Sequence, residues 1–163
     1  MNPALSDRAA RVQPDSTWPA IMVQSASEVF QLMLSSNVDA SPSPPADFHG
    51  QVCAMVGLAG SLCAVFRIRC SKDSAHSIAT KMLGGQNPGE EAAAYDALGE
   101  MANMLAGNFK GKISGLSENC ALSVPTVVIG EDYEVFPVSG GHQIEVHLIY
   151  EGKPLSLTLE LSG

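Results

Sequence analysis

Two runs near the end of the chain alternate apolar and polar residues without a break. Ile144, Val146, Leu148 and Tyr150 form one stripe; Leu155, Leu157, Leu159 and Leu161 form the other, across Glu151-Gly-Lys-Pro154. Period-two alternation sends every second side chain to the same face. The pair therefore predicts an antiparallel hairpin over 143–150 and 155–161 with one buried face. Earlier in the chain, 51–56 and 62–70 read as two more strands. They flank Gly57-Leu-Ala-Gly-Ser61, a glycine-containing hairpin connection. In the second of them Phe66, Ile68 and Cys70 alternate with Arg67 and Arg69, giving one core face and one wet face. Residues 121–128 and 133–138 complete the β content, and 39–47, with Pro42, Pro44 and Pro45, reads as a loop.

Helical periodicity appears in three places. Pro19 suits a first-turn position and opens a helix to about Ser36, with Ile21, Met22, Val29, Phe30, Leu32 and Met33 as its stripe. Ser71 or Asp73 can cap a second helix reaching Leu83, closed by Gly84-Gly85. The third starts after Pro88-Gly-Glu-Glu, with acids at the positive end of its dipole, and runs to about Ser114. At 3.6 residues per turn, Asp96, Glu100, Asn103 and Gly107 fall within about 60° of one another around its axis. Leu98, Met101 and Leu105 lie opposite, so the polar stripe faces out. A carboxylate and an amide fixed on a rigid helix, with small Gly99 and Gly107 beside them, suit docking into another protein's active site.

Composition removes several alternatives. The chain has 163 residues, 45% hydrophobic and 16% charged, which fits one folded domain over 18–163 behind a polar, loose tail over 1–17. A net charge of −8 argues against nucleic acid as a partner and fits a partner offering a lysine or a basic rim. No apolar run approaches the ~20 residues of a membrane helix, and the first eleven residues lack a signal segment, so no membrane association and a cytoplasmic location are expected. Cys53, Cys63, Cys70 and Cys120 form no C-x-x-C pair and read as structural thiols. His49, His76, His142 and His147 are equally scattered, and no metal site is expected.

The motif helix resembles the signature of the CheC/CheX/FliY family of chemotaxis phosphatases. That signature is an acid or Ser, three residues, Glu, two residues, Asn, about 21 residues, then Pro. It stands here as Asp96, Glu100, Asn103 and Pro125. The blocks Gly57-Leu-Ala-Gly-Ser61, Ala79-Thr-Lys-Met-Leu-Gly84, Gly99-Glu-Met-Ala-Asn-Met-Leu-Ala-Gly-Asn108 and Pro125-Thr-Val-Val-Ile-Gly130 look like the CheX branch, over roughly 18–162. CheC members carry the motif twice. Here Ser25-Ala-Ser-Glu28 lacks an Asn three residues on, so one active surface per chain is expected.

The resemblance implies an α+β fold: an antiparallel sheet of about five or six strands with the first and motif helices packed on one face. It implies a homodimer formed through sheet edges. It also implies hydrolysis of the aspartyl phosphate of a CheY-like receiver domain in chemotaxis or motility. Asn103 would orient the attacking water and Glu100 would pair with the receiver's lysine. Asp96 and Pro125 would shape the site, and Gly99 and Gly107 would belong to the docking surface. The chain would need no cofactor of its own, because the Mg²⁺ comes with the receiver. Two other readings stand beside this one. The domain can bind a receiver without dephosphorylating it, or Asp96 and Glu100 can be a merely solvated helix face. Against the last, Asn costs roughly 0.5 kcal/mol relative to Ala inside a helix, and its register with Pro125 gives it a job.

Overall fold

A computed structural model describes residues 11–44, 48–131 and 141–163. The expected strand over 133–138 and the first ten residues of the expected tail lie outside these. Within the described residues the order is α1 (Trp18–Leu34), β1 (Asp39–Ser41), β2 (Val52–Gly60), β3 (Ala64–Cys70), α2 (Lys72–Met82), α3 (Glu91–Lys112), β4 (Cys120–Leu122), β5 (Thr126–Ile129), β6 (Gln143–Tyr150) and β7 (Lys153–Leu161).

The strands make one seven-stranded antiparallel sheet in the order β1-β6-β7-β3-β2, with β4 and β5 following one another along β2. The C-terminal hairpin forms where its alternation predicts, but its second strand starts at Lys153 and is buried on both faces, Ser156, Thr158 and Glu160 as well as the alternating leucines, rather than on one. Tyr150 pairs with Lys153 across Glu151 and Gly152, both at positive φ, 51° and 74°. That is the two-residue turn whose twist matches the strands it joins. Positions in register across the sheet build a single apolar face: Ala54 with Ile68, Ile68 with Leu157, Leu157 with Val146. α1 and α3 cover that face, and α2 packs against both of them. Trp18 of α1 meets Phe109 of α3 edge-on at 5.5 Å, and Phe109 reaches Phe66 of β3 at 5.9 Å. The fold is thus α+β, an antiparallel sheet with helices on one side, with seven strands among the described residues where five or six were expected.

Local chemistry sets the helix ends. Ser71 caps α2, its Oγ accepting from the Ser74 N–H at 3.1 Å. Gly84 and Gly85, at φ 72° and 94°, close it, the Gly85 N–H donating to Thr80. Lys110 and Lys112 in the last turn of α3 complement its dipole. From the expected tail, Val12 donates its N–H to the Ser61 carbonyl at 2.9 Å, and Trp18 donates to Asp15.

Four expectations need correction. Gly57–Gly60 is not the hairpin connection but the end of β2; the chain turns at Ser61–Cys63. A Cβ on Gly60 would lie 2.1 Å from the Asn119 carbonyl oxygen, so this glycine serves a close backbone approach. Residues 39–41, expected in a loop, form an edge strand held by backbone pairing to β6, which needs no side-chain period. Arg67 and Arg69 do not sit on a wet face. Arg67 is buried in an ion pair with Glu160 of neighbouring β7, and Arg69 is half-buried with its guanidinium over the Phe48 ring. Alternation marks a charge as off the core; it does not say whether water or a partner meets it. Finally, Cys63 lies exposed in the turn, whereas Cys53, Cys70 and Cys120 are buried, the Cys70 thiol pushed up to about 12 by burial.

Candidate functional site

α3 spans 22 residues, about 33 Å at 1.5 Å per residue, and lies chiefly across β2. Leu98, Met101 and Leu105 are buried in the core, while Asp96, Glu100 and Asn103 are exposed on the opposite face. The structure therefore brings these three together on one accessible stripe. Among the described residues no hydrogen bond or ion pair engages their side chains. They project from a helix anchored on its other side by Phe109 and Trp18, so their spacing is fixed although their tips are free.

Pro125 reaches this stripe through the sheet. Met55 pairs with Thr126 and Leu58 pairs with Leu122. Between those rungs β2 has two residues, Val56 and Gly57, and its partner has three, Ser123, Val124 and Pro125. The extra residue makes a bulge, where a proline lacking an N–H is tolerated. Ser123 fixes the bulge to β2. The Gly57 N–H donates to its Oγ at 2.8 Å, and its own N–H donates to the Gly57 carbonyl at 2.8 Å.

Two glycines let this rim approach the helix. A Cβ on Gly99 would meet Val127 at 3.4 Å and Pro125 at 3.5 Å; one on Gly107 would meet Leu122 at 3.7 Å. Gly99 is buried by that packing, so it spaces Pro125 from the helix rather than presenting an open docking surface. Gly107 is half-buried against β4. Asn103 lies one turn from each glycine, midway between the two contacts. The bulge therefore passes at the level of the amide. Its tip, Val124, is 85% exposed. Nothing in the sequence marks Val124; only the strand register reveals it.

The first helix carries no counterpart of this arrangement. Glu28 of α1 is occupied, accepting from Lys112 at 2.7 Å and Asn108 at 3.2 Å, which ties α1 to the end of α3. Both contacts hold the Glu28 carboxyl below its usual range. Among the described residues no group of three or more His, Cys, Asp or Glu is placed to hold a metal ion, and no helix is long and apolar enough to cross a membrane.

The arrangement invites comparison with known proteins. A family model described as chemotaxis phosphatase CheX matches residues 52–148, which include the motif helix and the bulge. The CheY-P phosphatase CheX of Thermotoga maritima is 32% identical over 80 residues, 48% of this chain and 49% of that protein. The chain thus matches about half the length of this curated relative. Among solved structures, the chemotaxis protein CheX of Vibrio vulnificus superposes with a TM-score of 0.76 at 20% identity, covering 93% of this chain and 100% of that one. The CheX–CheY–BeF₃–Mg²⁺ complex of Borrelia burgdorferi gives 0.71 at 20% identity, covering 90% and 98%. At such identities the structural likeness carries the fold. The family match, over more than half of the chain, carries membership: this protein belongs to the CheX family of chemotaxis phosphatases.

Proposed function

We propose that the protein hydrolyses the aspartyl phosphate of a CheY-like receiver domain, using Glu100 and Asn103. The observation that carries this is the exposed stripe of α3, where a carboxylate and a carboxamide stand one turn apart on a rigid support. A phosphorylated receiver already holds its phosphoryl group on Mg²⁺ and a lysine; what it lacks is an oriented water. Phosphoryl transfer leaves little covalent work to the protein, so positioning dominates. An amide is fitted to that task. It both accepts and donates hydrogen bonds, carries no charge to repel the phosphoryl oxygens, and does not titrate near neutral pH.

Glu100 docks by pairing with the receiver's lysine, which brings Asn103 into the pocket. Asp96 and Pro125 act at one remove. Asp96 helps orient the Glu100 side of the stripe, and Pro125 sets the distance between the bulge and the helix. The Mg²⁺ belongs to the receiver. The complex named for Borrelia burgdorferi, with CheY, BeF₃ and Mg²⁺, supports a partner of this kind. The direct test is phosphate release from phosphorylated receivers with and without this protein. Acceleration is expected; binding without acceleration would make the domain a non-catalytic receiver-binding module.

Dimerisation belongs to the same reading. Among the described residues the outermost strands are β1 on one side and β4 and β5 on the other, and a strand edge of this kind can accept a second copy by backbone pairing. A homodimer in the cytoplasm is the expected working form. Light scattering at micromolar concentration should return the mass of two chains, and a monomer there would refute it.

A further inference from the structure

Val124 is the most exposed large hydrophobic residue among those described. Single exposed apolar side chains are ordinary; the restraint around this one is not. On one side Ser123 exchanges two hydrogen bonds with Gly57, and its Oγ donates to the Val124 carbonyl at 2.9 Å. On the other, Pro125 packs against the motif helix at Gly99. The contacts of Gly99 with Pro125 and of Gly107 with Leu122 bracket Asn103, so the bulge that carries the valine passes at the level of the amide. Residues 119–130 carry no charge in a chain of net charge −8. The exposed motif face therefore has a charged strip, Asp96 and Glu100, and an uncharged apolar rim beside it.

We propose that Val124 is the apolar contact through which this face seats on a phosphorylated receiver domain, next to the pocket that Asn103 enters. The inference rests on the phosphatase reading above and adds to it a second docking element of different chemistry. The occupant follows from continuity: whatever receives Asn103 must also pass over the valine at its side. Covering Val124 removes water from the edge of the Glu100 pair. A charge pair strengthens as the surrounding dielectric falls, and a contact that excludes water around a polar anchor contributes more than its own area. The two elements should then act together rather than additively.

The test is calorimetric binding to a CheY-like receiver loaded with beryllofluoride and Mg²⁺, combined with turnover at saturating phosphorylated receiver. Val124→Ala should weaken binding three- to tenfold and Val124→Asp more than tenfold, with kcat within twofold of wild type in both. Val124→Thr keeps the shape and β-branching, so it controls for folding. It should weaken binding as Val124→Ala does, because the apolar methyl is what the receiver covers. Wild-type affinity in Val124→Asp would overturn the proposal while leaving the Glu100 and Asn103 reading intact. No binding by the wild-type protein would overturn both. Conversion of a dimer to a monomer by Val124→Asp would assign the valine to a second copy of this chain, and would equally overturn the proposal.

Discussion

Asn103→Ala is expected to lower kcat for receiver dephosphorylation about a hundredfold, a loss of about 2.7 kcal/mol of transition-state stabilisation. Affinity for the phosphorylated receiver should stay within about twofold. The split follows from where the amide acts. Asn103 is exposed and its side chain makes no hydrogen bond among the described residues, so its truncation breaks no internal hydrogen bond. The helix beneath it is held by Leu98, Met101 and Leu105, all fully buried, and the alanine at 103 is itself a better helix former. The variant should fold and dock, then fail to hold the water in line. A fall in kcat with KM unchanged is the signature of an interaction made only in the transition state. Undiminished phosphate release from Asn103→Ala would end the proposed mechanism.

Glu100→Gln should act on the other parameter. It is expected to raise KM for the phosphorylated receiver about tenfold and to flatten the dependence of KM on salt. Glu100 is exposed in the free protein, and in the complex Val124 dries only one edge of its pair with the receiver lysine, so the pair stays partly exposed and is screened. The Debye length falls from about 10 Å at 0.1 M salt to about 3 Å at 1 M. In the wild-type protein, rising salt should therefore raise KM more than it lowers kcat, because Asn103 works through neutral geometry. Removing the charge while keeping the shape removes the screened component. The receiver must itself hold its fold and its Mg²⁺ across the salt range, which a turnover measurement on its intrinsic dephosphorylation establishes. A salt dependence surviving in Glu100→Gln would move the docking charge elsewhere, and Asp96 on the same stripe is the next residue to replace.

Much of this protein follows from local pattern. The 143–150 and 153–161 hairpin is specified by its alternation and by a turn that needs two residues at positive φ, one of them glycine. α2 is specified by a serine cap and a double glycine stop. The polar stripe of α3 is specified by angular spacing alone, since an amphipathic helix has only one way to bury Leu98, Met101 and Leu105. That Glu100 and Asn103 share an exposed face needed no tertiary information. These features are legible because each is set by neighbours within a turn or a hairpin.

What the sequence could not decide depends on partners distant in the chain. Arg67 alternates like a solvent-facing residue and is buried against Glu160, 93 positions away, because strand order put β7 beside β3. Gly57 and Gly60 read as a turn and are strand, because Asn119 and Ser123, which follow the motif helix in the chain, approach them closely from the neighbouring strand segment. Gly99 reads as an open neighbour of Glu100 and is buried under Pro125. The bulge is the clearest case. It exists only as a mismatch of two residues against three between paired strands, a property of register and not of either segment. The sequence by itself determined which face of α3 is exposed and which groups stand on it. Tertiary structure decided what stands beside them, because side chains on one helix are ordered by its own pitch, whereas the place of the Val124 bulge relative to Asn103 is set by how β4 and β5, later in the chain, pair with β2.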